Sequence, residues 1–313
     1  MQVIHGSENL PPLSKKSVVA IGNFDGVHMG HQKILKFLTS EAKKLDLFSL
    51  ILTFSPHPEK ILGKGRIKMI QTLEQRLREI KKFDVQIVLV LTFDRKFSGL
   101  SSQEFIQKIA LNTLKAREII VGENFHFGRN REGDIHTLRH LSSKLNFKVS
   151  SIPPVVINRN IISSSLIRRL LHEGKIEKAN VLIGRPYEIE GTVIKGKSRG
   201  KALGFPTANI QTANDIIPSG VFITTVEIGS ETFPSLTNVG YCPTFNQQDT
   251  NIESYIMNFN TILYGEKIRV HFIKKIRDEI KFNTPEKLAQ QIKLDLQKAK
   301  TYFDVKSVRL LLG

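Results

Sequence analysis

Residues 18–31, VVAIGNFDGVHMGH, decide how the first half of this chain folds. The β-branched run at the start of this stretch is typical of a buried parallel strand. Apolar residues then follow at helical spacing, at Ile34, Leu35, Leu38, Ala42 and Leu45. Three glycines between the two patterns predict a tight turn that a ligand can approach closely. Because the first N–H groups of a helix favour an anion, the sequence predicts a phosphate site at this turn.

Two histidines bracket Gly30 in this turn, in the pattern His-x-Gly-His. Imidazole donors at His28 and His31 can stabilise the charge that develops on a phosphorus centre during its transfer. A histidine near a helix start is also commonly a cap or a solvated side chain, so the four residues alone leave both interpretations open. The other residues of the turn, among them Gly22, Asn23, Phe24, Asp25 and Gly30, surround this candidate phosphate site.

Length and composition are those of an ordinary soluble protein. The 313 residues are long enough for two domains, each with its own core. The single cysteine, Cys242, excludes an internal disulfide and a cysteine-based zinc cluster, which suits a reducing compartment. The first residues lack a secretory pattern, and the longest strongly apolar run, 87–93, is too short to cross a bilayer. We therefore expect a soluble cytoplasmic protein without a membrane partner.

A formal net charge of +17 makes nucleic acid the obvious candidate partner. Residues 1–184 carry +13 of this charge and residues 185–313 carry +4. The basic residues are scattered in pairs, however, without a long basic block or interleaved aromatic residues. A solvated surface and polyanionic small substrates explain the charge, and we expect no nucleic-acid partner.

Strand-like and helix-like patterns alternate through the first half. The predicted strands lie at 18–21, 49–54, 86–93 and 119–121. The helical patterns between them lie at 31–45, 73–82 and 101–116. Ser101 and Glu104 add a capping-box pattern to the last helix. The alternation predicts a Rossmann-like, doubly wound parallel sheet, in which ligands bind beyond the carboxyl ends of the strands.

Two further polar motifs directly follow predicted strands. The stretch 53–58, TFSPHP, holds His57 in a loop fixed by two prolines, and it reads equally well as a bare turn. The stretch 121–133, VGENFHFGRNREG, offers Phe125 and Phe127 as flat faces for a ring system. Its arginines can contact phosphate. The same stretch is also consistent with a surface loop whose aromatic residues enter the core.

A serine-rich segment, 162–168, leads into the last helical patterns of the first half. Hydroxyls at a helix start cap the backbone, and a helix start beside Arg168 is also an anion site. A short helix is predicted at 175–182 and is broken at 184–186, where the composition changes. We place the domain boundary near residue 184.

The second half has the rhythm of an antiparallel barrel or sandwich. Short β-rich stretches lie at 187–194, 221–228, 252–259 and 267–273. Thr284 then caps a closing helix, and we expect its apolar face to pack on the barrel: Leu288, Ile292 and Leu296.

The most informative stretch of this half is 191–209, GTVIKGKSRGKALGFPTAN. Four glycines with interspersed cations indicate a flap over polyphosphate, although the Walker A spacing is absent. Thr207 and Asn209 supply neutral oxygens, and Mg²⁺ bound with ATP phosphates needs only one or two protein ligands. A glycine-rich hairpin loop explains the stretch equally well on physical grounds.

Taken in order, these motifs resemble those of bacterial bifunctional riboflavin kinase/FAD synthetases. The first half shares Gly-x-Phe-Asp-Gly-Val-His-x-Gly-His, Thr-Phe-x-Pro-His-Pro, the 121–128 loop and the serine-led helix start. The second half shares Gly-Phe-Pro-Thr-Ala-Asn at 204–209 and the elements at 238–245 and 253–259. The resemblance extends from about residue 18 to residue 299.

The resemblance implies that residues 1–184 form a nucleotidyltransferase domain that adenylylates FMN to FAD and releases pyrophosphate. It implies a catalytic role for His28 and His31. The nucleotide-binding residues that it implies are Gly22, Asn23, Phe24, Asp25, Gly30, Ser164 and Arg168. The flavin-binding residues that it implies are His57, Asn124, Phe125 and Phe127. Asn124 stands where aspartate is common, and Ile161 where an arginine often precedes the serines. An amide still forms hydrogen bonds but cannot act as a base.

For residues 185–313 the resemblance implies a riboflavin kinase barrel that converts riboflavin to FMN with MgATP. The carboxylate matching Glu253 is the general base that takes a proton from the ribityl hydroxyl. The implied nucleotide-binding residues are Gly196, Lys201, Gly204, Thr207 and Asn209, of which Thr207 and Asn209 also hold the metal. The implied flavin-binding residues are Arg277 and Glu279. Lys201 stands where arginine is usual.

Two alternatives stay open at this point. One is a nucleotidyltransferase that acts on another small phosphate ester and carries a passive barrel. The other is a nucleic-acid-binding protein, which would show strongly salt-dependent binding. The partners that we expect are the small molecules ATP, riboflavin and FMN, with the chain a monomer or a transient oligomer.

Overall fold

The computed structural model describes residues 1–63, 67–196, 204–244 and 247–311. The chain divides into two compact units, Met1–Ser164 and Ser165–Gly313. We call them the first and the second unit.

The first unit is built on a six-stranded parallel sheet, as the alternating pattern predicts. Its strands are β1 (Gln2–His5), β2 (Ser17–Ile21), β3 (Phe48–Phe54), β4 (Ile87–Leu91), β5 (Ala116–Gly122) and β6 (Lys148–Ile152). They lie in the order β1-β4-β3-β2-β5-β6. Sequence analysis missed the two edge strands, β1 and β6. A two-stranded antiparallel hairpin follows, β7 (Val156–Ile157) and β8 (Asn160–Ile161).

Helices cover both faces of this sheet. They are α1 (Met29–Leu45), α2 (Pro58–Leu62), α3 (Leu73–Lys81), α4 (Arg95–Ser98), α5 (Ser102–Glu104) and α6 (Ile135–Leu145), with 3-10 turns at Ser7–Asn9 and Arg129–Arg131. The helix predicted at 101–116 is α5 followed by a π-helical segment, Phe105–Thr113. It ends earlier than predicted because β5 begins at Ala116. Neighbouring strand residues pack on opposite faces, Val19 with Leu138 and Val18 with Leu35, which is the pattern of a sheet buried on both sides.

The second unit is a closed six-stranded antiparallel barrel with helices around it. The barrel strands are β9 (Tyr187–Ile194), β10 (Ala208–Thr212), β11 (Gly220–Ile228), β12 (Glu231–Thr244), β13 (Gln247–Ile256) and β14 (Lys267–Arg277). They close in the order β10-β13-β12-β11-β14-β9. The helices are α7 (Ser164–His172), α8 (Ile176–Ile183) and α9 (Pro285–Leu311). Sequence analysis missed β10 and β12, and the structure settles the choice between barrel and sandwich in favour of the barrel.

The closing helix packs on the outside of the barrel, as expected. Val221 and Ile223 of β11 form one apolar cluster with Leu296 and Ala299 of α9. The alternate residue Phe222 turns to the other side, where its ring meets Phe272 with centroids 5.2 Å apart. One face of β11 therefore packs against α9, and the other face contributes side chains to the interior of the barrel.

Helix α8 is tied to the barrel by one asparagine. The Asn180 Nδ2 donates to the Phe272 carbonyl at 2.8 Å, and its Oδ1 accepts the Tyr187 N–H at 2.7 Å. These hydrogen bonds help to explain why α8 belongs to the second compact unit. The functional boundary near residue 184 stays a prediction.

Across the described ranges of the chain, no helix combines the length and the apolar character needed to cross a membrane.

The predicted capping box at the start of α5 is present and makes the stability of the chain depend on pH. The Ser101 N–H donates to the Glu104 carboxylate at 3.0 Å, and the Glu104 N–H donates to the Ser101 Oγ at 3.2 Å. The hydrogen bond from the Ser101 backbone, followed by that from Lys108, lowers the pKa of Glu104 from 4.5 to about 2. Because the folded-state pKa is depressed, this carboxylate stabilises the fold above its unfolded pKa and loses that effect as the pH falls towards 2.

We expect Glu104→Gln to unfold at lower urea concentration than the parent at pH 7. The difference should shrink as the pH falls below about 4.5 and be largely gone near pH 2. Urea unfolding followed by circular dichroism over a pH series measures this. Glu123→Gln, at an exposed glutamate with no side-chain hydrogen bond recorded within the described ranges, is the matched control. A difference that does not change with pH would contradict the prediction.

Candidate functional site

The glycine-rich turn after β2 has a left-handed backbone at several positions. Phe24, Gly26 and Val27 have φ values of 52°, 86° and 37°. The Gly22 N–H donates to the Leu52 carbonyl at 3.1 Å, which ties the start of the turn to the neighbouring strand. Helix α1 begins directly after this turn, so its first N–H groups face the space beyond β2.

The two histidines of the turn form a stacked pair. Their ring centroids are 3.7 Å apart with an interplanar angle of 16°, and Phe24 meets the His31 ring edge-on at 5.3 Å. His28 is the N-cap of α1, with its Nδ1 accepting the His31 N–H at 3.3 Å. A Cβ built on Gly30 would lie 3.1 Å from His28 Cε1, so glycine leaves the imidazole its space. The cap interpretation of His28 is therefore correct, and it is compatible with a catalytic one.

Asp25 and Ser164 hold the turn by contacts with the backbone. Asp25 is 1% exposed, and its carboxylate accepts the N–H groups of Ile70 at 3.0 Å and Gln71 at 3.3 Å. The Ser164 Oγ donates to the Asp25 carbonyl at 2.9 Å. These contacts support the shape of the turn, and the predicted contacts of both residues with a nucleotide stay predictions. Arg168 lies on α7 in the second unit, and its predicted nucleotide contact also stays a prediction.

A cavity of about 900 Å³ opens at the carboxyl edge of the sheet. Loops that leave β2, β3, β4 and β5 all contribute to its wall. The predicted site residues that line it are Gly22, Asn23, His57, Asn124, Phe125 and Phe127. The sheet topology thus brings together three motifs that are spread over about 100 residues of sequence, from Gly22 to Phe127. His28 and His31 are not among its lining residues, although they follow the same β2 loop.

Six phenylalanine rings form part of the cavity wall. Neighbouring rings along it have centroids 5.4 to 6.0 Å apart, in a continuous series of Phe93, Phe54, Phe97, Phe105, Phe127 and Phe125. Phe125 and Phe127 are nearly parallel, with an interplanar angle of 13°. Sequence analysis missed Phe93 and Phe97. Their position just after β4 was the available signal, because that strand ends at the same edge.

His57 closes one side of the cavity and also caps a helix. It is 8% exposed, and its Nδ1 accepts the Glu59 N–H at 3.2 Å at the start of α2. The Thr53 Oγ1 donates to the Asn23 carbonyl at 3.3 Å and so connects the β3 loop with the β2 turn. Asn124 is exposed on the opposite loop, where its amide is accessible to a ligand.

The second unit brings Glu253 and Asn209 together on adjacent barrel strands. Asn209 of β10 is the register partner of Glu253 of β13, which in turn faces Asn238 of β12. The Asn251 Nδ2 donates to the Glu253 Oε1 at 2.7 Å and orients the carboxylate. Asn209, Glu253 and Asn238 all lie in motifs singled out from the sequence, whereas Asn251 lies two residues before the nearest one.

The region around Asn209 fits a polyphosphate-bound metal ion. A Cβ at Gly196 would clash with the Asn209 carboxamide, so glycine is needed for this close packing. Gly204 has a φ of 84°, and Thr207 directly precedes β10. Hydroxyl and carboxamide oxygens suit Mg²⁺ when phosphates supply most of its ligands. Within the described ranges, no cluster of three His, Cys, Asp or Glu residues forms a metal site of its own. Lys201 lies outside the described residues.

Arg277 is the last residue of β14 and Glu279 follows it. The Arg277 Nε donates to Asp295 Oδ2 at 2.8 Å, and Asp295, 1% exposed, also accepts from Gln291 at 2.9 Å. A Cβ at Gly240 would clash with the Glu279 carboxylate. The structure thus shows Arg277 bound to α9, a partner that no sequence motif indicated. The flavin contacts predicted for both residues stay predictions.

Each half of the chain matches a known protein family. Residues 10–166 match the FAD synthetase family, and residues 183–303 match the riboflavin kinase family. The matches leave α8 largely between the two.

Curated relatives match along almost the whole chain. Proteins described as bifunctional riboflavin kinase/FMN adenylyltransferase are 38% identical in Buchnera aphidicola subsp. Schizaphis graminum and 34% identical in Bacillus subtilis. The first alignment covers 97% of this chain and 100% of the relative, and the second covers 97% and 98%. The corresponding Escherichia coli K12 protein is 32% identical over 97% of this chain and 98% of its own.

A solved structure shares the fold. It is described as a macrolide-efflux protein from Streptococcus pneumoniae and aligns with a TM-score of 0.88 at 28% identity, covering 95% of this chain and 98% of the streptococcal one. That description belongs to the streptococcal protein.

Both domain families occur here in the order found in relatives that match from end to end. The chain therefore belongs to the bifunctional riboflavin kinase/FMN adenylyltransferase family, and it converts riboflavin to FMN and FMN to FAD.

Proposed function

We propose that FMN is adenylylated at the cavity and turn of the first unit, and that riboflavin is phosphorylated beside Glu253 on the barrel. The observation that carries the first assignment is the cavity itself, since loops from four neighbouring parallel strands build one wall. Ligands bind at this edge in open parallel sheets. The functional boundary that we propose, near residue 184, falls at the start of the riboflavin kinase match.

The aromatic cavity suits the flavin ring of FMN. An isoalloxazine is planar and largely apolar, with polar edges, and it gains stacking energy against phenylalanine faces. Phe125 offers such a face and stacks on the buried Phe127, and the amide of Asn124 is available for a hydrogen bond to the ring edge. The volume of about 900 Å³ is large enough for a molecule of this size.

Adenylylation then needs positioning and charge stabilisation more than covalent chemistry. An oxygen of the FMN phosphate forms a bond to the α-phosphorus of ATP, and the bond from that phosphorus to the bridging oxygen breaks. Pyrophosphate leaves with the electron pair. The first N–H groups of α1, which has 17 residues, stabilise the anionic groups.

The cap geometry prepares His28 for this step. Because its Nδ1 accepts the His31 N–H, the proton of the neutral ring is on Nε2. The donor is therefore fixed without any rearrangement when the negative charge develops. The stacked His31 ring limits the rotation of the His28 side chain.

On the barrel, Glu253 takes the proton of the terminal ribityl hydroxyl. The hydroxyl oxygen forms a bond to the γ-phosphorus of ATP, the bond to the bridging oxygen breaks, and ADP leaves. The hydrogen bond from Asn251 holds the carboxylate in one orientation for this transfer. Thr207 and Asn209 would hold Mg²⁺, which neutralises phosphate charge when bound.

The finer cellular assignments are also proposals. ATP and free flavins are metabolites of the cell interior, so we propose a cytoplasmic location and small-molecule substrates as the partners. We propose a monomer or a transient oligomer without nucleic acid or membrane. Family membership removes the alternative of a passive barrel, because the barrel matches the riboflavin kinase family.

His28→Asn tests the adenylylation site without removing the cap. Asparagine keeps an acceptor for the His31 N–H, but it lacks the Nε2 donor. We expect FAD formation from supplied FMN to fall by about 10²–10³ while riboflavin phosphorylation is unchanged. Separate chromatographic assays of the two steps measure this, with His140→Asn, at an exposed histidine of α6, as the control. Equal loss of both activities would contradict two independent sites.

Phe125→Leu tests the flavin position. Loss of one aromatic face costs about 0.5–1.5 kcal/mol, so we expect the KM for FMN in adenylylation to rise about threefold to tenfold. Riboflavin phosphorylation should keep its KM. Tyr264→Leu, at an aromatic residue that is 54% exposed on the barrel, serves as the control. An unchanged KM for FMN would place the flavin elsewhere.

Glu253→Gln tests the kinase base. The variant keeps an oxygen for the Asn251 hydrogen bond but cannot accept the ribityl proton. We expect riboflavin phosphorylation to fall by about 10²–10⁴, with adenylylation of supplied FMN intact. Glu231→Gln, at the exposed start of β12, is the control. Retention of phosphorylation within a few fold would exclude Glu253 as the base.

A further inference from the structure

Arg76 lies on α3, outside every motif, and joins two of the loops at the cavity. It is 3% exposed. Its Nη1 donates to the Asn23 carbonyl at 2.6 Å, and its Nη2 donates to the Phe54 carbonyl at 3.0 Å. One planar guanidinium thus connects the turn after β2 with the last residue of β3, where the next loop begins. Both carbonyls belong to residues that line the cavity.

The segment before Arg76 holds the same turn at a second point. The Asp25 carboxylate accepts the backbone N–H groups of Ile70 and Gln71, just ahead of α3. Thr72 and Gln75 form a capping box that fixes the first turn of this helix. Because the helix start is fixed, the Arg76 guanidinium has a defined position relative to the turn.

The charge of Arg76 is retained in this buried position. Burial lowers the pKa of Arg76 to about 10, and the nearby Asp25 opposes that shift. The guanidinium is therefore protonated at neutral pH. Its Nε has no hydrogen-bond partner within the described ranges of the chain.

Burying a cation that keeps an unsatisfied donor carries a large desolvation penalty, so loop stability alone does not explain Arg76. Apolar residues of similar volume often stabilise such a position as well or better. Arginine differs from other residues here because its two terminal nitrogens, which we call the fork, bind two acceptors at a fixed separation. Lysine cannot reproduce that geometry. The fork therefore points to positional accuracy between the two loops.

We propose that Arg76 is a positioning residue for FMN adenylylation, and that its guanidinium fixes the β2 turn against the end of β3, from which the loop with His57 starts. It contacts the backbone of these loops and acts on the substrates through them. The inference rests on the assignment of adenylylation to the first unit. A misplacement of about 1 Å at a reacting group can cost about 10²-fold in rate.

Arg76→Lys keeps the positive charge and removes the fork. We expect kcat/KM for adenylylation of supplied FMN to fall about 10–100-fold, with a raised KM for FMN. A raised KM separates positioning from folding, because a smaller folded fraction lowers the apparent kcat and leaves KM unchanged. Riboflavin phosphorylation by the same chain should not change. Arg78→Lys, the same substitution one half-turn along α3, is the matched control and should behave like the parent.

Chemical rescue of Arg76→Ala gives a second readout. Millimolar guanidinium should restore part of the lost adenylylation and lower the KM for FMN, because the ion reproduces the fork. Ammonium at the same concentration should not. Rescue by both ions alike would show that charge alone matters and would overturn the role of the fork.

Further outcomes are decisive against the inference. If Arg76→Lys keeps kcat and KM within twofold of the parent, the inference is wrong. If the Arg76 variants fail to fold, the inference is also wrong, because Arg76 then has a role in folding only. Measuring His28→Asn in the same assays distinguishes a wrong assignment of the adenylylation site from a wrong role for Arg76. If His28→Asn is also fully active, the assignment of the site fails. If only the Arg76 variants are active, the site stands and the positioning role fails.

Discussion

The parallel pairing of β2, β3, β4 and β5 is the constraint on which the chemistry of the first unit depends. Parallel strands all end at the same edge, so every loop that follows them meets there. The loops after all four strands contribute residues to the cavity wall, so no single loop builds it. The sheet converts distant sequence motifs into one concave surface.

In the barrel, strand register brings distant residues together. Antiparallel pairing places Asn209, Glu253 and Asn238 in one row across β10, β13 and β12. Since register fixes which side chains share a face, a shift by one residue would turn Glu253 to the opposite face. On the opposite face of the barrel wall, the buried hydroxyls of Thr237 on β12 and Ser254 on β13 are hydrogen-bonded at 2.8 Å. Pairing on both faces keeps the row in register.

Periodicity and capping chemistry were sufficient to predict the parallel sheet, the antiparallel character of the second half and most helix starts, whereas the choice of a barrel came from the family resemblance. They failed where the local pattern was weak. Strand β10, ANIQT, alternates poorly, and β12 contains Pro234 and Gly240, which both resemble turn signals. Arg76 was missed for a different reason. An arginine in an amphipathic helix resembles a solvated charge, and only the tertiary structure shows that it is buried against two carbonyls.

The structural and catalytic interpretations of His28 are two consequences of one contact. As a cap, the Nδ1 atom satisfies an N–H that the helix cannot pair by itself. The same hydrogen bond removes one of the two tautomers, because an Nδ1 that accepts cannot also carry the proton of a neutral ring. The helix start therefore supplies an oriented donor at the place where its own N–H groups favour an anion. A motif of this kind is specific because folding and chemistry require the same atom in the same position.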